Sequence, residues 1–157
     1  MGYRSEVGYA VRLSKNHEHD DQLMEQLKAN EINLDDLWGM FIAEVKVSCK
    51  EALRWKQIKV DNQQRWLAYR EGGVKWYADF EDVQAHEKIL DIAEEYNQRY
   101  SDDYNLPKLF DIAFVRIGED PEDVDYKHRG EGYDMFYPVT VLDGEFMSDG
   151  TLNGEIL

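Results

Sequence analysis

The chain has one cysteine, Cys49, and three prolines in 157 residues. A single cysteine excludes an internal disulfide and suits a reducing, cytoplasmic setting. No apolar run comes near the roughly 18 residues that a membrane-spanning helix requires. The amino terminus has no positive stretch leading into an apolar core, so no signal peptide is expected. Gly-x-Ser-x-Gly, a glycine-rich phosphate loop ending in Gly-Lys-Ser/Thr and a dinucleotide fingerprint are all missing. Cys49 has Lys46 and Lys50 beside it but no Cys-His motif, which favours a structural thiol. The chain is therefore read as a non-enzyme with no catalytic residue and no cofactor.

A metal site is tested by the run Glu119-Asp-Pro-Glu-Asp-Val-Asp, which is rich in oxygen donors. An EF-hand loop starting at Asp123 finds Asp125 at its third position. It then meets Lys127 at the fifth and His128 at the sixth, where an acid and a glycine belong. His17, His19, His86 and His128 show no zinc-ligand spacing. No metal is assigned.

Forty-three per cent of the residues are hydrophobic and 13% aromatic. Disordered acidic chains are poor in aromatics, so this one is expected to fold, as a single domain over residues 1–157 with residues 145–157 as an edge strand or a loose tail. The net charge of −15 is unevenly placed. Residues 1–78 hold 12 acidic and 12 basic side chains, and residues 79–157 hold 21 and 6. The second half carries the whole imbalance. Such a field repels nucleic acid and anionic membrane and draws the chain toward basic surfaces.

Val7, Tyr9, Val11 and Leu13 alternate with Gly8, Ala10 and Arg12, the period of a strand. Its larger side chains pack on helices, and its thin face invites a close approach. Asp20 or Asp21 caps a helix through about Ala29, and Asn33 caps a second one into the low forties. The segment 41–60 reads equally as helix or strand. Between Lys46 and Lys75 eight basic residues mix with Trp55, Trp66, Tyr69 and Trp76. That mixture can stack single-stranded nucleic acid, but a basic sheet edge with core aromatics is preferred. Gly72-Gly73 predicts a hairpin between Arg65–Arg70 and Val74–Ala78. Asp79, with Asp82 three residues on, predicts the start of a long helix whose inner stripe is Val83, His86, Leu90, Ala93 and Asn97. Two strands follow, Leu109–Ile117 and Tyr133–Val141, with the acidic run between them. This order predicts an α+β fold, an antiparallel or mixed sheet with helices on one face. A ferredoxin-like arrangement with an inserted helical segment fits it.

Met-Gly-Tyr-Arg-Ser-Glu-Val at 1–7, Lys-Trp-Tyr-Ala-Asp-Phe-Glu-Asp-Val at 75–83 and Phe-Val-Arg-Ile-Gly-Glu-Asp at 114–120 together resemble small uncharacterised acidic proteins of phages and prophages. The resemblance implies a mobile-element origin and an intracellular host, where such proteins bind and block host machinery, defence systems included. It supplies no site residue.

The residues themselves supply a binding surface. Glu87, Asp91, Glu94 and Glu95 lie within about two helical turns, and Glu119, Asp120, Glu122, Asp123 and Asp125 extend the row. Spaced carboxylates imitate nucleic-acid phosphates. The expected partner is a basic host protein surface, with no direct nucleic-acid or membrane contact and an open oligomeric state. Competing readings are an immunity protein against a basic nuclease toxin, an enzyme with an unrecognised carboxylate site and a virion structural protein.

Overall fold

The computed structural model describes residues 3–13, 20–54, 58–101, 108–120, 122–129 and 155–157. Strand β1, Ser5–Leu13, forms the middle of the sheet. Helices α1 (Asp21–Ala29), α2 (Leu34–Ser48) and α3 (Lys50–Leu53) follow. Strands β2 (Ile58–Asp61) and β3 (Trp66–Val74) come next, then helix α4 (Glu81–Tyr100). Strands β4 (Phe110–Ile117), β5 (Val124–Arg129) and β6 (Glu155–Ile156) complete the order.

The sheet runs β5-β4-β1-β3-β2-β6, and every neighbouring pair is antiparallel. This is the expected α+β architecture with helices packed on one face. Its central part, β4-β1-β3-β2, is joined in the order β-α-β-β-α-β, so β3 separates the mutually parallel β1 and β2. That is the element order of a split βαβ unit, with β5 and β6 added at the edges. Residues 155–156 form an edge strand beside β2, one of the two readings left open for the tail.

Alternation along β1 sorts the two faces. Val7, Tyr9, Val11 and Leu13 join Leu67, Tyr69, Ile112 and Phe114 beneath the helices. Leu23 and Leu27 of α1, Phe41 and Val45 of α2, and Ile89 and Ala93 of α4 complete this core. The opposite face is small: Ala10, Ala68, Ala113 and Val115 are buried there with Trp66. On that face Arg12 donates to Asp111 at 2.5 and 3.1 Å, and both residues are buried. Register explains the pairing, since Arg12 stands opposite both Asp111 and Trp66.

Four sequence expectations are corrected. The second helix does not stop in the low forties; α2 reaches Ser48, and α3 follows. Its stripe Leu34, Leu37, Trp38, Phe41, Ile42 and Val45 is buried throughout, which carries the helix into the ambiguous segment 41–60, whose end belongs to strand β2. Secondly, Gly72-Gly73 is not a hairpin turn. β3 passes straight through it, and the extra residue is taken up in a bulge opposite Ser5–Val7, where Gly73 is left-handed at φ 68°. The actual turn lies at residues 62–65. Asp61 Oδ1 accepts from the Gln63 and Gln64 amides, both at 3.0 Å, and Arg65 takes φ 59°. Thirdly, α4 begins at Glu81 after Phe80, without a side-chain cap; Asp82 accepts from the Val83 amide instead of answering Asp79. Finally, the strand after the acidic run is Val124–Arg129. The expected Tyr133–Val141 strand lies outside the described residues.

Candidate functional site

The acidic run is the turn of the β4–β5 hairpin, and most of its carboxylates are engaged there. Arg116, on β4, donates to both oxygens of Asp123 at 2.7 and 3.1 Å and to Asp125 Oδ2 at 2.8 and 3.1 Å. It also reaches Ser5 Oγ at 3.2 Å. Asp125 stands directly opposite Arg116 in the ladder, so the strand register itself delivers that contact. The hydrogen bonds from Arg116 and then from Tyr3 hold the Asp123 carboxyl below its ordinary range. Asp123 and Asp125 in turn push the Arg116 guanidinium upward.

The amino-terminal segment closes over this turn. The Tyr3 hydroxyl donates to Asp123 Oδ2 at 2.8 Å and accepts from the Asp120 amide at 3.1 Å. Glu119 Oε1 accepts from the Arg4 amide at 2.9 Å, and Arg4 donates to the Gly73 carbonyl at 2.7 Å. Asp120 Oδ1 accepts from the Glu122 amide at 3.0 Å. Among the five predicted acids of the run, Glu122 alone has no side-chain contact of this kind among the described residues. Ser5 thus joins β1 to the turn, and away from the turn the rings of Trp76 and Phe114 lie 6.1 Å apart in the core.

The α4 acids are differently placed. Asp91 and Glu95 are exposed, and Glu87 and Glu94 are half-buried. Glu87, Asp91 and Glu95 recur every four residues, about 6 Å apart along the axis. Their carboxylates make no hydrogen bond or ion pair among the described residues. Among the described residues the predicted surface thus holds a free row, Glu87, Asp91 and Glu95, on α4, and in the hairpin four engaged acids beside Glu122; Glu94 is not part of the free row.

Beneath α4 lies a polar cluster that the sequence did not single out. His86, on the inner stripe of α4, is buried; its Nδ1 sits 2.6 Å from the Tyr9 hydroxyl. The Tyr69 ring lies 4.2 Å from the imidazole, and Tyr69 donates to Glu71 at 2.7 Å. Burial lowers the His86 imidazole to about 4, with Asp82 pulling the other way. Burial also raises the Tyr9 hydroxyl well above its ordinary range. Cys49 is buried, and burial pushes its thiol up to about 11, away from nucleophilic use.

The aromatic residues of the basic segment belong to the interior. Trp66 and Tyr69 are buried and Trp76 packs against the core, while Trp55 lies outside the described residues. Arg65, also buried, pairs with Asp35 at 3.0 Å. No group of three or more His, Cys, Asp and Glu side chains suited to a metal is found among the described residues. No described helix is long and apolar enough to cross a membrane.

No protein-family model matches the chain, and no curated protein or solved structure does so either.

Proposed function

We propose that the chain is a non-enzymatic acidic binding protein of phage or prophage type. It acts in the host cytoplasm by engaging a basic surface of a nucleic-acid-handling host protein and inhibiting or modulating it. The observation that carries this reading is the row of carboxylates at Glu87, Asp91 and Glu95, unengaged among the described residues. Charges already held by an internal cation have less field left for a partner, so Asp123 and Asp125, paired with Arg116, contribute less than the α4 row. The row is sparser than the phosphates of one duplex strand, one per roughly 3.4 Å. It therefore suits point contacts with individual Lys and Arg side chains better than imitation of a continuous duplex.

Affinity capture from host lysate on the full chain tests this, washed at low and at high salt. Retention of a basic nucleic-acid-handling protein that salt releases is expected. Loss of that protein from a Glu87→Lys, Asp91→Lys, Glu95→Lys column is expected too. Retention unaffected by salt and by the charge reversals would overturn the reading, as would a column that retains no such protein.

A further inference from the structure

The junction of α1 and α2 forms a second surface, in the half of the chain whose overall charge is balanced. Residues 20–36 hold six acidic side chains and one basic one, Lys28. α1 ends in a Schellman turn: the Ile32 amide donates to the Leu27 carbonyl at 3.1 Å and the Glu31 amide to Lys28 at 3.0 Å. Glu31 takes the left-handed position, φ 58°, and Asn33 Oδ1 then caps α2 by accepting from the Asp36 amide at 2.8 Å. The turn leaves an open groove of about 610 Å³ between the two helices. Met24 and Ile32, half-buried against the core, give it an apolar floor. Asp21, Glu25, Glu31 and Asp36 stand around it, with Lys28 the one cation among them. Their carboxylates have no hydrogen-bond or ion-pair partner among the described residues, in contrast to those of the β4–β5 turn.

We propose that this groove docks a basic amphipathic helix of a protein partner. A purely cationic segment would leave Met24 and Ile32 wet, and a neutral apolar one would leave four carboxylates desolvated with Lys28 as the one cation of the lining to answer them. An apolar face with flanking Lys or Arg satisfies both. The occupant is a helix because α1 and α2 use their own backbone groups internally. An extended segment would find no edge to pair with over the apolar floor, whereas a helix brings its hydrogen bonds with it. The flexible, half-buried Met24 suits an adaptable contact of this type. The groove lies outside the α4 row and stands independently of it.

The test is fluorescence anisotropy of a labelled synthetic helix of Leu and Lys, with Leu at helical spacing, titrated with the full chain. A peptide of the same composition with Leu scattered serves as control. Saturable binding of the amphipathic peptide alone is expected. Asp21→Asn, Glu25→Gln, Glu31→Gln together alter only exposed side chains and should weaken it by about tenfold. Glu87→Gln, Asp91→Asn, Glu95→Gln together should leave it within about twofold. Equal binding of the scattered peptide, equal losses in the two triple variants, or no binding would each overturn the proposal. A thermal melt of each variant confirms that the fold is retained.

Discussion

Arg116 grips both oxygens of Asp123 while its other edge holds Asp125, so one guanidinium ties together the two strands that the acidic run joins. Arg116→Met should free the turn. The readout is amide exchange at Gly118, whose N–H donates to the Asp123 carbonyl at 2.8 Å, and at Asp123, whose N–H donates to Asp120 at 2.9 Å. Both amides should exchange faster, with core amides of β1 unchanged. Because Asp123 sits below its ordinary range, the clamp is intact above about pH 4 and is lost as the pH falls through that lowered value. Unaltered exchange at the two turn amides would show that the backbone alone holds the hairpin.

Gly118 is where Tyr3 comes closest to the hairpin. A Cβ there would collide with the Tyr3 hydroxyl and with the Asp123 carboxylate. Gly118→Ala should therefore displace the exposed end of Tyr3 and lower stability by about 0.5–1.5 kcal/mol, the usual net worth of the hydrogen bond it loses. In a Tyr3→Ala background the same substitution should cost clearly less, and urea unfolding of the four proteins in the cycle measures the difference. Strict additivity would mean that Tyr3 does not occupy the position described.

Much of the fold was legible where one residue pattern decided one element. The alternation of β1 and the inner stripe of α4 follow directly from period two and period 3.6. Failures came where the deciding partner is distant. Gly72-Gly73 resembles a hairpin turn locally, but pairing with β1 carries β3 through it. The true turn has no glycine, and its left-handed residue is a buried arginine, Arg65. The acids on α4 and in the run were found by composition. Which of them are engaged depends on Arg116 and Tyr3, and their separations from Asp123 along the chain carry no periodic signal. A lone cation before a dense acidic run was the available clue. The α1–α2 groove was missed because a charge count over half the chain averages it away.

His86 gives the stability a pH dependence with a definite sign. Its imidazole sits at about 4 in the fold and near 6.5 in an unfolded chain. Between those values the unfolded state binds more protons, so stability is highest above pH 6.5 and declines as the pH drops toward 4. The full effect is on the order of 3 kcal/mol. The urea midpoint of the native chain should fall between about pH 7 and about pH 4.5, and that of His86→Gln should fall less. Parallel declines would assign the acid sensitivity to carboxylates instead.

Asn97 joins α4 to β4 with one buried side chain. Its amide nitrogen donates to the Phe110 carbonyl at 3.0 Å, and its oxygen accepts from the Phe110 amide at 2.6 Å. Phe110 stands at the start of β4, and Asn97 thereby satisfies both of its backbone groups at a point where α4 covers the strand. Asn97→Leu is close in size but leaves a buried donor and a buried acceptor without this partner. At about 1–3 kcal/mol for each such group, the loss should be at least about 2 kcal/mol. By contrast, Gly39→Ala, on the exposed face of α2 with no atom within 4 Å of the added methyl, should raise stability by about 1 kcal/mol. Chemical denaturation of the two variants alongside the native chain reads both signs at once. An Asn97→Leu protein as stable as the native chain would mean that water or a shifted backbone takes over both hydrogen bonds, and α4 would then owe its placement to the apolar stripe alone.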